Sequence, residues 1–253
     1  MSDSETAVRY DRAGDLAWIT LNRPDSRNAL DEAGWAALID ALDRAAAEAR
    51  VAAIRGAGPA FCAGDDIRSL VDLETGADGE ALGELLAASL FGLEELPIPV
   101  VAAVDGPAYG GGCELVAACD LALATPEATF ALPETQVGAY PPYAAARPVA
   151  FGGKKQLIRM ALTGEPIDAE TAVDRGLANE VVPAGDLETA VANLADSIAA
   201  APEPATRLAK RRIRAGLQAT ADEWSQTVEG FSQVATCEPC GDAAAAFFEG
   251  DKE

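Results

Sequence analysis

The sequence contains no histidine, and this absence excludes more chemistry than any other feature of its composition. Imidazole is the commonest general base, a frequent metal ligand and the central group of Ser-His-Asp and Cys-His nucleophile systems. All of those mechanisms are therefore excluded. Any reaction that this chain performs must use carboxylates, backbone amides, hydroxyls, thiols or a cofactor.

Long apolar runs are also missing from the sequence. No run of about 18 apolar residues occurs, and the first residues, MSDSETAVRYD, lack the basic-then-apolar order of a signal peptide. We therefore expect no membrane span and a cytoplasmic location, with the five cysteines present as reduced thiols. Cys237 and Cys240 form a CEPC pair, but one pair without histidine cannot complete a tetrahedral site, so no metal is predicted.

Positive charge is scarce, because the chain has only four lysines and a formal net charge of −22. This charge argues against nucleic acid as a partner. The apolar fraction of 49% is too high for an acidic disordered chain, so the protein is expected to fold. A folded, acidic, lysine-poor protein resembles those of halophilic archaea, where molar salt screens self-repulsion, and an ordinary acidic protein is the alternative.

Alternating strand and helix patterns occupy the first part of the chain. Residues 6–24 alternate apolar and polar side chains around a glycine turn, which predicts a hairpin. Asp31 is expected to cap a helix whose buried face has helical spacing and includes Trp35. Apolar runs predict further strands at 51–56, 99–106, 121–125 and 128–134. From Tyr143 onward the pattern is helical, so the residues alone predict an α/β core to about residue 150 followed by an α-helical tail.

Two of these strands end in glycine-rich loops, RGAGPAFCAGDDI (55–67) and DGPAYGGGCEL (105–115). Backbone amides at a helix N-terminus, with no Cβ in the way, favour a negative charge. The first loop fails as a dinucleotide fingerprint because a phenylalanine replaces the third glycine, and neither loop has the Lys-Ser or Lys-Thr of a phosphate loop. Two amide clusters that converge on one oxygen would instead form an oxyanion hole.

Two glutamates lie close to these loops. Glu114 falls in the first turn of the helix that the glycines open, and Glu134 ends a strand. Strand ends of α/β cores face the ligand crevice, and in a chain without histidine two glutamates can serve as general acid and base. A glutamate at a helix N-terminus also stabilises the helix dipole, so a structural role for Glu114 is the alternative.

Five segments, taken in order, resemble the signature segments of the enoyl-CoA hydratase/isomerase family, the crotonases. They are NRPDSRNAL (22–30), GAGPAFCAGDDI (56–67), PVVAAVDGPAYGGGCELVAACDLALAT (99–125), FALPE (130–134) and LTGEPIDAETAVDRGLANEVVP (162–183). The resemblance implies an α/β fold in which ββα units form a spiral over residues 1–195. It also implies an α-helical C-terminal region, residues 196–253, that drives assembly into a homotrimer or a hexamer.

The same resemblance implies a reaction and a set of site residues. The family stabilises a thioester enolate with two backbone amides, which match Asp65 and Gly111, and its hydratases use two glutamates, which match Glu114 and Glu134. The implied reaction is addition of water to a trans-2-enoyl-CoA, with Glu114 activating the water and Glu134 delivering a proton to C2. Coenzyme A is part of the substrate, and no other cofactor is implied. The substrate-binding positions that the resemblance implies are Arg27, Ala29, Ala63, Asp66, Ile67, Arg68, Gly110 and Tyr140.

Several features depart from the family pattern. Asp65 stands where the family has a small neutral residue, and a carboxylate beside a developing oxyanion is adverse unless its side chain points to solvent. The Tyr140-Pro141-Pro142-Tyr143 loop is bulkier and stiffer than a glycine-rich loop, and resembles loops of hydratases that act on cyclic dienoyl-CoA.

Binding of the CoA phosphates by so acidic a chain requires a local basic patch. We predict that this patch consists of Arg23, Arg27, Arg55 and Arg68, and that residues 70–97 line the acyl pocket. Isomerisation or hydration of a cyclic dienoyl-CoA through the same enolate, and a non-catalytic acyl-CoA-binding trimer, are the alternative functions.

Overall fold

The computed structural model describes residues 6–66, Arg68 and residues 75–217. It begins with the predicted hairpin, in which β1 (Val8–Ala13) pairs antiparallel with β2 (Leu16–Leu21). Gly14 has a φ of +62° at the turn between them, a conformation that glycine adopts without steric penalty. All six residues of β2 are buried, so the hairpin forms one side of the core.

Six strands form the main sheet in the order β1-β2-β3-β4-β6-β9. The four strands that follow the hairpin are β3 (Val51–Gly56), β4 (Val100–Val104), β6 (Leu121–Ala124) and β9 (Glu180–Val181). From β2 onward every neighbouring pair is parallel. Parallel strands are covered on both faces, which is why the sequences of β3 and β4 are nearly continuous apolar runs.

A second, smaller layer has the order β5-β7-β8. Its strands are β5 (Pro107–Tyr109), β7 (Thr129–Ala131) and β8 (Ile167–Asp168). Single parallel bridges from Cys62 to Ala108 and from Leu30 to Asp65 extend this layer towards the start of the chain. Successive passes of the chain therefore add one segment to each layer, which is the arrangement expected of a spiral of ββα units and confirms the α/β class.

Eight α-helices are found in the described residues. They are α1 (Glu32–Glu48), α2 (Gly76–Glu95), α3 (Gly111–Ala118), α4 (Pro142–Ala146), α5 (Lys154–Thr163), α6 (Ala169–Arg175), α7 (Leu187–Ala199) and α8 (Glu203–Leu217). Asp31 caps α1 as predicted, accepting the Gly34 N–H at 2.8 Å. A capping box between Thr75 and Asp78 begins α2, a helix of 20 residues to which the sequence analysis assigned no structure.

The two faces of the main sheet are packed by different helices. Along β2, Ala17 and Ile19 face the larger cluster with α1, α2 and α3, whereas Leu16 and Trp18 face the smaller cluster with α7. This alternation follows from the two-residue period of a strand. The active-site segments described below lie on the side of the larger cluster.

The predicted end of the α/β core at about residue 150 is wrong, because β8 and β9 return to both sheets after that point. Each is only two residues long, so neither has enough residues to show a strand period. Beyond β9, Lys210 of α8 donates to the Ile98 carbonyl (2.8 Å) and to Asp120 Oδ2 (2.6 Å). Residues 218–253, including the CEPC pair and most of the predicted trimerisation region, lie outside the described residues. In the part that is described, no helix is long and apolar enough to cross a membrane.

Candidate active site

Close approach of two backbones explains the glycine run that opens α3. A Cβ on Gly112 would lie 2.3 Å from the Cys62 carbonyl oxygen, and one on Gly64 would lie 2.7 Å from the Tyr109 carbonyl oxygen. Neither distance is compatible with a side chain. The 61–66 loop and the start of α3 are therefore in direct contact, and the position of a Gly64 Cβ is 2.9 Å from Gly111 N.

The amides of Asp65 and Gly111 donate no backbone hydrogen bond among those found in the described residues. Gly111 is the first residue of α3, where backbone N–H groups have no partner within the helix. At the bridge to Leu30, the bonds run from Leu30 N–H to the Gly64 carbonyl and from Asp66 N–H to the Leu30 carbonyl, both at 2.8 Å. The Asp65 N–H points away from that bridge, so the two loops offer the pair of donors that an oxyanion hole needs.

Glu114 is held by a backbone amide from another helix. Its side chain is buried, and its Oε1 accepts the Ala144 N–H of α4 at 2.8 Å. Burial raises the pKa of Glu114 well above its ordinary value, and the charge of Glu134 adds to this, while the Ala144 N–H acts in the opposite direction.

Glu134 follows β7 at the beginning of a short 3₁₀ turn, Glu134–Val137. Both of its carboxyl oxygens are buried, and neither has a hydrogen-bond partner in the part of the chain that the structure describes. Its Oε1 lies 3.5 Å from the position of a Cβ on Gly110, so the glycine run leaves this carboxyl open towards the amide pair. Burial raises the pKa of Glu134 to about 8, with a further contribution from the charge of Asp65.

The side chain of Asp65 turns towards the amide pair, although a carboxylate there is expected to point to solvent. Its Oδ1 accepts the Trp35 Nε1–H at 2.9 Å, and its Oδ2 lies 2.9 Å from the position of a Cβ on Gly111. Burial raises the pKa of Asp65 to about 6. Trp35 was assigned only to the core, and it is 1% exposed, but it also orients this carboxyl.

Three carboxyl groups thus share one site. The charges of Asp65 and Glu134 both raise the pKa of Glu114, and no ion pair reaches any of the three from a basic side chain in residues 6–66 or 75–217. Buried acids that raise one another's pKa resist simultaneous ionisation, so the site is expected to hold at least one proton near neutral pH. A site that contains both an ionised and a protonated carboxyl can supply a base and an acid.

A second group of contacts, which the sequence did not reveal, positions α4 and therefore the Ala144 amide. Tyr143 O–H donates to Glu94 Oε1 of α2 at 2.6 Å, and Arg147 Nε donates to the same oxygen at 3.1 Å. The Arg147 guanidinium also lies 4.3 Å from the centroid of the Phe91 ring. We call Glu94, Tyr143 and Arg147 the α2–α4 clamp.

The predicted basic patch is only partly assembled. Arg23 Nη2 and Arg68 Nη2 both contact Asp66 Oδ2, at 3.4 and 2.5 Å. Arg55 instead pairs with Glu188 of α7 at 2.6 Å and stacks on Trp18. Arg55 therefore does not share the carboxylate that joins Arg23 and Arg68.

The other predicted substrate-binding residues surround the same loops. The Arg27 carbonyl accepts the Ala63 N–H at 2.9 Å, and the Ala29 carbonyl accepts from Arg23 Nη1 at 2.9 Å. Gly110 N–H donates to the Ala131 carbonyl at 2.9 Å, and Tyr140 packs against the larger core cluster. Ile67 lies outside the described residues. No group of three or more His, Cys, Asp or Glu among the described residues is arranged to hold a metal ion.

A known protein family and several of its members match most of this chain. The profile of the enoyl-CoA hydratase/isomerase family matches residues 11–249. A short-chain-enoyl-CoA hydratase of Clostridium acetobutylicum is 33% identical over 250 residues, covering 96% of this chain and 94% of the relative. A probable enoyl-CoA hydratase of Rhodobacter capsulatus is 36% identical over 218 residues, covering 83% of this chain and 82% of the relative.

Solved structures give the same result. The crystal structure of an enoyl-CoA hydratase/isomerase from Mycobacterium paratuberculosis superposes with a TM-score of 0.85 at 32% identity, covering 97% of this chain and 100% of the other. A second, from Xanthobacter autotrophicus Py2, has a TM-score of 0.87 at 29% identity, covering 96% and 92% of the two chains. The chain therefore belongs to the enoyl-CoA hydratase/isomerase family.

Proposed function

We propose that this protein is an enoyl-CoA hydratase, which adds water across the C2–C3 double bond of a trans-2-enoyl-CoA to give a 3-hydroxyacyl-CoA. Its family and the names of its relatives support this activity. The observation that carries the proposal is the presence of both glutamates beside one amide pair. Glu114 accepts the Ala144 N–H, whereas the buried oxygens of Glu134 have no partner among the described residues. Hydration needs a base for water and an acid for carbon, and this arrangement supplies both.

The backbone amides of Asp65 and Gly111 bind the thioester oxygen. As water attacks C3, electrons move from the double bond towards this oxygen, and the two N–H groups stabilise the negative charge that develops there. A preorganised donor of this kind is worth about 3–4 kcal/mol in a transition state. Because both donors belong to the backbone, their positions depend on the contact between the 61–66 loop and α3.

The two glutamates divide the proton transfers. Glu114, whose ionised form the Ala144 N–H stabilises, accepts a proton from water as its oxygen bonds to C3. Glu134, which lacks a donor and favours its neutral form, delivers a proton to C2. The product has gained one water, and proton exchange between the carboxyls and solvent restores the starting state.

The acyl-CoA is the only partner molecule that this mechanism requires, with no cofactor beyond the CoA of the substrate. Arg23 and Arg68 are suited to the CoA phosphates, with Arg27 nearby in the same loop. Residues 76–95 form α2, whose Phe91 lies 5.3 Å from the Tyr143 ring, in keeping with an acyl pocket between α2 and α4. These aromatic groups also favour a second candidate substrate, a cyclic dienoyl-CoA.

The proposal also includes self-association of the protein and adaptation to high salt. Val149, Leu162 and Ile213 are 73%, 67% and 65% exposed, which supports association into a homotrimer or hexamer. The net charge of −22 supports a halophilic enzyme, and we place it in the cytoplasm as part of the same proposal. Sedimentation and thermal unfolding from 0.1 to about 3 M KCl test both points, and a protein that is monomeric and equally stable throughout would contradict them.

The decisive experiment measures loss of the enoyl thioester absorbance with crotonyl-CoA in molar KCl, followed by product identification. We expect 3-hydroxybutyryl-CoA as the product. A cyclic dienoyl-CoA turned over with a much higher kcat/KM would shift the assignment to the second candidate. A shifted double bond without water addition would identify an isomerase, and binding without turnover of either substrate would indicate a binding protein.

A further inference from the structure

The carboxyl group of Asp65 occupies a place that the hydratase mechanism leaves without a role. Its Oδ1 is bound by the Trp35 Nε1–H, which leaves Oδ2 as the free oxygen. That oxygen lies against Gly111, 2.9 Å from where a Cβ would be, so a side chain at position 111 would displace it. The carboxyl therefore lies beside Gly111, whose amide forms the proposed oxyanion hole together with the amide of Asp65.

Within residues 6–66, Arg68 and residues 75–217, the groups that act on Asp65 are acids or neutral. Cys62 shares its loop, Glu114 approaches from α3 and Glu134 from the end of β7, while α1 contributes the uncharged Trp35. Arg23 and Arg68 are bound to the adjacent Asp66. An ionised Asp65 would therefore repel an enolate with no compensating charge, whereas a protonated one can donate a hydrogen bond to it.

We propose that the Asp65 carboxylic acid is a third member of the oxyanion hole, donating from Oδ2–H to the thioester oxygen as the enolate forms. This inference rests on the proposed hydratase function. The Trp35 bond fixes which oxygen carries the proton and directs it towards the amide pair. Loss of this proton converts a donor into a repelling charge, so the state of Asp65 sets the upper end of the pH range of activity.

Two substitutions at Asp65 separate the donor from the charge. In Asp65→Asn the amide retains the size, an acceptor for Trp35 and an N–H donor beside Gly111, but it has no proton to lose. In Asp65→Ala both donor and charge are removed. We expect kcat/KM of the wild type to fall above about pH 6, as burial raises the pKa of Asp65 to about 6.

We expect D65N to lose this fall and to keep a rate within about tenfold of the wild-type maximum. D65A should also lose the fall, with a kcat that changes little with pH and lies about 10- to 100-fold below the wild-type maximum. Trp35→Phe removes the bond that stabilises ionised Asp65, so it should move the fall to higher pH. Glu165→Gln, on the exposed surface, is the matched carboxylate control and should leave the profile unchanged.

Binding of acetoacetyl-CoA provides a readout without turnover, because its enolate carries negative charge on the thioester oxygen and absorbs light distinctly. We expect enolate binding to weaken above about pH 6 in the wild type and not in D65N.

If the wild type is a hydratase and its pH profile and enolate binding are unchanged in D65N and in D65A, the inference is overturned and the function remains. Absence of hydration by the wild type, together with enolate binding that depends on Asp65, would overturn the function and support the inference. If D65A does not fold, D65N alone decides between these outcomes.

Discussion

The surroundings of Glu114 and of Glu134 differ in almost every respect, although the two carboxyls serve one site. Glu114 lies within a helix and receives an N–H from α4, the helix that the α2–α4 clamp holds against α2. Glu134 lies after a strand, and its two buried oxygens accept no hydrogen bond from the described residues. The comparison shows how one fold gives two carboxyls different surroundings: burial and neighbouring acids raise both pKa values, and at Glu114 an N–H from another helix opposes this by stabilising the anion.

The largest expected effect on activity comes from replacing the carboxyl of each glutamate by an amide. We expect Glu114→Gln and Glu134→Gln each to lower kcat by at least ~10²-fold, because each removes a proton transfer. Crotonyl-CoA binding should change little, as measured by calorimetry. Activity retained in either variant would show that the missing glutamate is not a member of the acid–base pair.

The next largest effect is expected in the pH dependence of stability, which should distinguish Glu134 from Glu114. The folded-state pKa of Glu134 is raised to about 8 from an ordinary value of 4.5, so its contribution to folding is present at low pH and is lost as pH rises towards 8. We expect the melting temperature in molar KCl to fall between about pH 5 and pH 8, and to fall less in Glu134→Gln. The raised pKa values of Glu114 and Asp65 act in the same direction, so some slope should remain. Identical slopes for the wild type and the variant would contradict the prediction.

Loosening the α2–α4 clamp should affect the Glu114 side alone. We expect Glu94→Gln and Tyr143→Phe to reduce kcat by about tenfold with KM within about twofold, because they displace the Ala144 N–H rather than the substrate. Loss of that donor should also raise the pKa of Glu114, moving the acid limb of the kcat profile to higher pH. Glu95→Gln, which disturbs the neighbouring pair with Arg214, is the control and should change neither value.

The smallest effect is expected on the Glu134 side. Thr135 Oγ1–H donates to the Ala161 carbonyl at 2.7 Å and secures the turn that begins at Glu134. Thr135→Val removes this bond at nearly constant volume, which should lower the free energy of unfolding by about 1 kcal/mol and kcat by less than about threefold. Urea unfolding and steady-state kinetics measure both. A large loss of kcat would mean that this turn positions Glu134 more tightly than its contacts indicate.

Local patterns in the sequence were sufficient for the hairpin, the capped helix α1, the buried strands and the position of Glu114 in its helix. They were insufficient where the structure depends on partners distant in the chain. Trp35 and Asp65 are 30 residues apart, and Arg147 and Glu94 are 53 residues apart. Helical spacing indicates that Trp35 is buried but does not show what its N–H contacts.

Other gaps have different physical causes. Residues 76–95 contain glycine and alanine on several sides of the helix, so α2 has only a weak apolar stripe. The strands β8 and β9 form only because neighbouring strands are already present to pair with them. The resemblance to a family was needed to select the residues proposed for the oxyanion hole, since glycine-rich loops alone fit several kinds of ligand.

Because lysine is scarce, the contact between Lys210 of α8 and the core affects which amines of the protein can be modified chemically. Of the lysines that the structure describes, Lys154 and Lys155 are exposed at the start of α5, whereas the side chain of Lys210 is only 8% exposed and its ammonium is engaged by Ile98 and Asp120. Amine-reactive coupling at these positions would therefore join the protein to a surface through one end of α5, leaving α8 and the carboxyl cluster unmodified.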